Sequence, residues 1–218
     1  MMRQIRQCGS CFVAAFAIAA AFTHSIAWSY STRTLIQATG LVSNNLGNSV
    51  SDAGDVNGDG YDDVIVGADQ SDTVIGAGRA YVYYGGPAAD AIADLTFVGV
   101  AVGDAFGHSV SGAGDVNADG YDDLLVGAYT NDAGGVDAGR AYVYYGGPGA
   151  DAVADLTLTG AAAGDFLGVD VSSGDMNGDG YADMIVGASG NDSGGSNAGR
   201  VYIYFGGPGV DAVADRIL

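Results

Sequence analysis

The chain of 218 residues carries 26 acidic against seven basic residues, a formal net charge of −19, and 48% of it is apolar. Every acid is Asp and every base is Arg. A field this negative repels nucleic acid and anionic membrane surfaces, and the apolar residues fall in strand-like blocks rather than being scattered as in a disordered chain.

Residues 1–27 have the layout of a secretory signal peptide. Arg3 and Arg6 precede an uncharged run from Cys11 to Phe22, and Ser25-Ile26-Ala27 puts small residues at the −3 and −1 positions of a cleavage site. The run is too short for a membrane anchor, and no apolar span long enough to cross a bilayer follows it. Both cysteines, Cys8 and Cys11, lie inside this segment. The expected mature chain is therefore secreted or at the cell surface (periplasmic if bacterial), without a transmembrane segment, disulfide or thiol metal site.

Residues 28–40 end in Thr34-Leu35-Ile36-Gln37-Ala38-Thr39-Gly40, which matches Leu156-Thr157-Leu158-Thr159-Gly160. They read as the outer strand of a preceding unit. Three units follow, at 41–100, 101–160 and 161–218. Each opens with an apolar residue and glycine: Leu46-Gly47, Phe106-Gly107 and Leu167-Gly168.

An acidic loop comes next. Asp55-Val-Asn-Gly-Asp-Gly-Tyr-Asp-Asp-Val-Ile-Val-Gly67 returns as Asp115-Val-Asn-Ala-Asp-Gly-Tyr-Asp-Asp-Leu-Leu-Val-Gly127, and again as Asp175-Met-Asn-Gly-Asp-Gly-Tyr-Ala-Asp-Met-Ile-Val-Gly187. Oxygen side chains stand at loop positions 1, 3, 5 and 9. Such closely spaced hard oxygens suit Ca²⁺, which takes roughly six to eight oxygen ligands. Glycine at position 6 allows a sharp turn, and the residue at position 7 can offer its carbonyl. The expected ligands are Asp55, Asn57, Asp59, Tyr61 and Asp63; Asp115, Asn117, Asp119, Tyr121 and Asp123; and Asp175, Asn177, Asp179, Tyr181 and Asp183. An EF-hand or dockerin-like helix pair fits the loop less well, because an EF-hand loop closes on a bidentate Glu at position 12. Here position 12 is Val66, Val126 or Val186, inside an apolar run that reads as a buried strand.

Beyond the loop, each unit has a Gly-Arg-x-Tyr run closed by Gly-Gly-Pro, then a short final strand such as Ala93-Asp94-Leu95-Thr96-Phe97. The strands of the first unit are expected at roughly 47–52, 63–68, 79–84 and 94–99. Proline ends the third, since it cannot donate to a ladder. Strand alternation puts Tyr81 and Tyr83 on one face, a stripe that reads as packing between units rather than as a ligand platform. Arg79, Arg140 and Arg200 open the third strand each time and are expected to pair locally with an aspartate. Four short strands per tandem unit, with no helical period, indicate an all-β partial propeller of three blades, the third incomplete.

At this point the units resemble the FG-GAP repeats of integrin α-subunit propellers and their bacterial relatives. Phe106-Gly107 matches the "FG" half, Val126-Gly127-Ala128 the strand ending in "GA", and the acidic loop lies between them. The "P" is absent, since Asp69, Tyr129 and Ser189 follow the Gly-Ala, and Leu46 and Leu167 replace the phenylalanine. The resemblance implies Ca²⁺ on one rim of the propeller and blades used for adhesion or for recognition of an extracellular protein or glycan. Closed propellers have roughly four to eight blades. Three blades leave three options: a fragment, a ring completed by further blades of the same or another chain, or an open array.

The expected function is that of a secreted or cell-surface calcium-binding module for adhesion or recognition, with the calcium structural. The alternatives are a structural segment of a larger surface protein and a non-catalytic accessory part of a secreted hydrolase. Catalysis is not expected. His108 aligns with Asn48 and Val169, so it is outside the repeated constellation, and its neighbour Ser109 does not make a triad by adjacency. Asn191-Asp192-Ser193 is a glycosylation sequon.

Overall fold

The computed structural model describes residues 45–70 and 76–218. The expected signal peptide (1–27), the expected preceding strand (28–40) and residues 41–44 lie outside the described residues. Twelve strands follow in order: β1 Val50–Gly54, β2 Asp63–Ala68, β3 Arg79–Tyr83, β4 Leu95–Val98, β5 Val110–Gly114, β6 Asp123–Ala128, β7 Arg140–Tyr144, β8 Leu156–Thr159, β9 Leu167–Gly174, β10 Asp183–Ala188, β11 Arg200–Tyr204 and β12 Arg216–Ile217. They form three antiparallel four-stranded sheets, β1-β2-β3-β4, β5-β6-β7-β8 and β9-β10-β11-β12. The fold is all-β, three blades of a partial propeller. Among the described residues no helix is long and apolar enough to cross a membrane.

Each strand forms where the sequence pattern and the turns permit. The first strand starts later than its apolar opening because Gly47, at φ 87°, turns the chain and Asn48 N donates to Asn45 O. The third strand stops at Tyr83 because Tyr84 N leaves the ladder and donates to Asp94 Oδ2 at 2.7 Å. Arg140 does not find the expected aspartate: its Nε donates to Thr159 Oγ1 at 3.2 Å, across the β7–β8 pair. The sequon asparagine is buried, with Nδ2 donating to Asp165 Oδ1 at 3.0 Å, so the folded chain does not present it for glycosylation.

The blades stack face to face. Ile65, Ala80, Val82 and Phe97 of the first sheet pack against Leu124, Val126, Tyr142 and Tyr144 of the second. The other face of the second sheet, with Leu125, Ala141, Val143 and Leu158, packs against Met184, Val186 and Tyr204 of the third. Period-two alternation therefore serves two cores from one strand, with Tyr142 facing backward and Val143 forward. In the second and third blades the tyrosine stripe, Tyr142 with Tyr144 and Tyr202 with Tyr204, is blade-to-blade packing, whereas Tyr81 and Tyr83 of the first blade belong to neither core. Phe97 stacks on Tyr144 with ring centroids 4.0 Å apart.

The acidic loop enters the second strand through a buried carboxylate. Asp63, Asp123 and Asp183 are each 0% exposed. Asp63 accepts from Val56 N at 3.0 Å with one oxygen and from Gly85 N at 2.8 Å with the other. Asp123 does the same with Val116 N and Gly146 N, both at 2.9 Å, and Asp183 with Met176 N at 2.7 Å and Gly206 N at 2.9 Å. One side chain thus ties the start of the loop, the start of the strand and the Gly-Gly-Pro turn.

The third blade departs from the others at its inner strand. Val50 to Asp55 and Val110 to Asp115 are five residues apart, whereas Val171 to Asp175 is four. The missing residue removes a bulge. β1–β2 and β5–β6 shift register between Asp52 and Gly54 and between Gly112 and Gly114, while β9 pairs without a break from Val171 to Gly174. Gly54 and Gly114 sit at φ 70° and 67° at these bulges.

The buried carboxylate makes a specific prediction. Asp123→Ala leaves two inward N–H groups without acceptors, each costing about 1–3 kcal/mol. Asp123→Asn keeps one acceptor and loses less. Urea unfolding in chelator, which removes any metal contribution, is expected to rank the wild type above Asn and Asn above Ala; equal midpoints would rule the latch out. Phe97→Ala should cost about 3–5 kcal/mol, and Phe97→Leu much less, since Leu158 fills that place in the second blade.

Candidate metal centre

The three acidic loops curl in the same way, and the curl comes from the short aspartate and asparagine side chains bonding to the backbone just ahead of them. In the first loop Asp55 Oδ1 accepts from Asp59 N at 2.9 Å and Asp55 Oδ2 from Gly60 N at 2.8 Å. Asn57 Oδ1 also accepts from Asp59 N, and Asp59 Oδ1 accepts from Tyr61 N at 3.0 Å. The second loop repeats every contact with Asp115, Asn117, Asp119 and Tyr121. The third does so with Asp175, Asn177, Asp179 and Tyr181. Gly60, Gly120 and Gly180 hold φ between 87° and 95°, so position 6 requires glycine.

Expected ligand positions 1, 3, 5 and 7 therefore lie together on one turn of backbone. The ninth, Asp63, is held apart from solvent, with both oxygens on backbone N–H groups. Among the described residues no three acidic or imidazole side chains are gathered into a metal-holding cluster. The physical reason is visible in the hydrogen bonds: the carboxylate oxygens turn to backbone N–H groups along the loop. Each still has lone-pair capacity beyond one N–H. The donor set contains only oxygen from Asp, Asn and backbone, which fits a hard cation such as Ca²⁺ and suits neither Zn²⁺ nor Cu²⁺.

Electrostatics in the loop favour a cation. Burial pushes the Asp63 carboxyl above the usual range, and the charges of Asp59 and Asp55 push it further, against the two backbone hydrogen bonds that lower it. Asp123 is pushed up to about 7 by burial first, with Asp119 and Asp115 adding to it. The loop carboxylates thus feel one another, and positive charge placed among them relieves that repulsion.

The neighbouring blade completes the loop. Asp122 Oδ2 accepts from Asp55 N at 2.8 Å, and Gly147 N donates to Val56 O at 2.7 Å. In the next pair Gly207 N donates to Val116 O at 2.8 Å, but Ala182 stands in place of Asp122. Sequence reasoning did not single out Asp122. The Asp62-Asp63 and Asp122-Asp123 doublets, against Ala182-Asp183, were the available signal.

His108 and Ser109 point at different partners. His108 Nδ1 meets Asp69 Oδ2 at 2.9 Å, while Ser109 Oγ donates to Asp170 Oδ1 at 3.2 Å and accepts from Val171 N at 3.1 Å. Their bonds join blades; they do not form a nucleophile–base pair.

Comparison with known proteins agrees with this geometry. The FG-GAP repeat family matches the chain over residues 47–83, 106–144 and 167–204, which are the three loop-and-strand units. Integrin alpha-5 of Xenopus laevis is 34% identical over 159 residues, 67% of this chain and 15% of its own length. Integrin alpha-PS2 of Drosophila melanogaster is 36% identical over 164 residues, 71% of this chain and 11% of its own length. Integrin alpha-IIb of Mus musculus is 32% identical over 178 residues, 75% of this chain and 16% of its own length. The chain thus spans only a small part of these relatives. Three in-register matches on three blades built alike make the chain a member of the FG-GAP repeat family, integrin alpha-like in its repeats.

Proposed function

We propose that the chain is an extracellular recognition or adhesion module whose blades, at 41–100, 101–160 and 161–218, are braced by structural Ca²⁺ in the three acidic loops. The observation that carries this reading is the threefold identity of the loop hydrogen bonds, which bring positions 1, 3, 5 and 7 onto one turn in each blade. The relation to integrin alpha chains supports extracellular recognition, with a protein or glycan as the partner. The fit of the signal-peptide pattern at 1–27 to export supports the same setting.

In this reading Asp55, Asn57 and Asp59 supply side-chain oxygens, Tyr61 its carbonyl, and Asp63 the closing carboxylate, with their counterparts in the other loops. Bound Ca²⁺ would supply positive charge against the three aspartates at positions 1, 5 and 9 of each loop. The chain's own residues do the rest. The Asx-type turns shorten the search for the folded loop, and the buried carboxylate fixes where the following strand begins. Extracellular sites of this chemistry bind at about 10⁻⁴–10⁻³ M, which suits a medium rich in calcium.

The reading predicts a metal-dependent melting temperature. A single site at 100 times its dissociation constant adds about 2.7 kcal/mol to the folded state. Chelation of calcium-loaded protein is therefore expected to lower the melting temperature strongly, and magnesium to restore it poorly. Asp59→Ala, Asp119→Ala and Asp179→Ala should each remove part of the calcium effect, whereas Asp90→Ala, outside the loops, should leave it whole. Unchanged melting after chelation, in protein first shown by calorimetry to bind calcium, refutes the bracing role; calorimetry with no calcium heat refutes the site.

A further inference from the structure

The acidic loops of the first and second blades meet the blade that follows them in the same way, apart from one carboxylate. Gly147 N donates to Val56 O at 2.7 Å and Gly207 N to Val116 O at 2.8 Å, so both loops are held at position 2. Asp122 N donates to Asp55 O at 3.5 Å and Ala182 N to Asp115 O at 3.4 Å, so both are also met at position 1. Of these two loops only the first receives a side chain there. Asp122 Oδ2 accepts from Asp55 N at 2.8 Å in a partly buried contact, whereas Ala182 has no side-chain oxygen to offer the Asp115 N–H.

By sequence Asp122 belongs to the second loop, at position 8, but its carboxylate is turned onto the first. The bulge makes the room. A Cβ on Gly54 would fall 2.2 Å from Asp122 Oδ2, so glycine at φ 70° lets the carboxylate reach the backbone of Asp55. Tyr121 comes with it: a Cβ on Gly58 would fall 2.3 Å from Tyr121 Cε1, so the ring of the second loop lies on bare backbone of the first. At the second interface Ala118 already carries a Cβ in the place of Gly58, but Gly114 keeps the bulge glycine at φ 67°. A Cβ there would stand 2.8 Å from the Cβ of Ala182, the same 2.8 Å that separates the Gly54 position from the Cβ of Asp122. The space for a capping carboxylate is therefore present at both interfaces and filled at one.

Position 1 is the residue on which the loop's curl hangs. Asp55 Oδ1 and Oδ2 accept from Asp59 N and Gly60 N. A bond from the neighbouring blade to the Asp55 N–H restrains the backbone that carries this side chain, and it does so with a negative charge. A restrained ligand loses less freedom on binding a cation, and a partly buried carboxylate is screened less than one in open solvent. Both effects act in the same direction.

We propose, on the reading that the loops bind Ca²⁺, that Asp122 is a positioning residue for the acidic loop of the first blade, raising that loop's affinity for the ion and coupling it to the packing of the second blade. Coupling of this kind is reciprocal, so an ion in the first loop strengthens the contact between the first two blades. The second loop lacks this linkage, because Ala182 cannot carry it.

The test follows the amide signals of Gly60 and Gly120, one in each loop, by nuclear magnetic resonance through a calcium titration of the whole chain. Asp122→Ala is expected to raise the half-saturation of the Gly60 signal about fivefold or more, the lower end of ordinary coupling between sites. The Gly120 signal should change little, although the substituted residue belongs to the second loop. Asp122→Asn, which keeps an acceptor without the charge, should fall between wild type and Ala. Ala182→Asp should lower the half-saturation of Gly120 and leave that of Gly60 in place. A shift confined to Gly120 in Asp122→Ala, or equal shifts at both signals, overturns the proposal, since the carboxylate then serves its own loop or the fold at large. A purely structural cap lowers the melting temperature in chelator and moves neither half-saturation; that result overturns the proposal and leaves the calcium reading intact. A wild type in which neither signal responds to calcium overturns both. If Asp122→Ala fails to fold by circular dichroism, Ala182→Asp decides: tighter binding at Gly120 supports the proposal, and unchanged binding overturns it.

Discussion

A carboxylate with no access to water governs each blade. Among the described residues Asp63, Asp123 and Asp183 are taken out of solvent without a salt bridge, and each accepts from two backbone N–H groups. Burial of a charge is costly unless it is well bonded. Here the bonds come from two segments that are far apart in sequence, the head of the acidic loop and the turn after the third strand. The arrangement therefore holds only if loop, strand and turn are all in place. Repetition of this arrangement in three blades makes it the common element on which stacking rests and by which each acidic loop is tied to the strand that follows it.

Blade stacking follows from that fixed start. Once the buried aspartate sets the first residue of β2, β6 and β10, alternation decides which side chains face backward and which forward. Leu124 and Val126 meet the first blade, and Leu125 meets the third. A slip of one residue would exchange the two faces, breaking both contacts at once. Glycines sit where backbone meets backbone across these faces. Gly107, at φ 82°, would place a Cβ 2.1 Å from Arg79 O, and Gly127 would place one 2.0 Å from Gly168 O, so no side chain fits either position.

Much of this was legible in the chain. The second strand was readable to the residue, because an apolar run bounded by an aspartate and Gly-Ala has a sharp start and stop. The tyrosine stripe followed from alternation alone. The first strand was placed too early because Leu46-Gly47 looks like strand but turns, and nothing local distinguishes an apolar residue that docks on a neighbouring blade from one inside a ladder. The aspartate expected opposite Arg140 was a guess from charge, and a threonine one strand away proved the nearer partner. In the loops, spacing identified four oxygen positions as one class. The structure adds a division of roles, with three on an exposed turn and the fourth buried and also latching two backbone N–H groups. That division depends on contacts to Gly85, Gly146 and Gly206, more than twenty residues downstream, and a motif of nine positions carries no record of them.

The use of aspartate throughout, with no glutamate, has a physical reading in the same contacts. Positions 1, 3 and 5 bond to N–H groups two to five residues ahead, a reach that suits a side chain of one methylene. The repeats are nonetheless not equivalent. The first interface carries a charged cap, with Asp122 on the N–H of Asp55 beside the Gly54 bulge, where a Cβ would fall 2.2 Å from the Asp122 carboxylate. The second interface has Ala182 instead, and Gly114 faces its methyl group. It recovers polar contact at the inner strands, where Ser109 Oγ donates to Asp170 and Ser173 Oγ to Gly112 O at 2.9 Å. The third blade also lacks the inner-strand bulge that the first two have. The loss of the charged cap and the loss of the bulge fall in the same blade, but not at the same contact, because Ala182 faces the bulge of the second blade. Loop 3 keeps its own hydrogen bonds without either feature. The curl of the acidic loop is therefore a local property of its side chains, and the cap from the next blade is an addition to it.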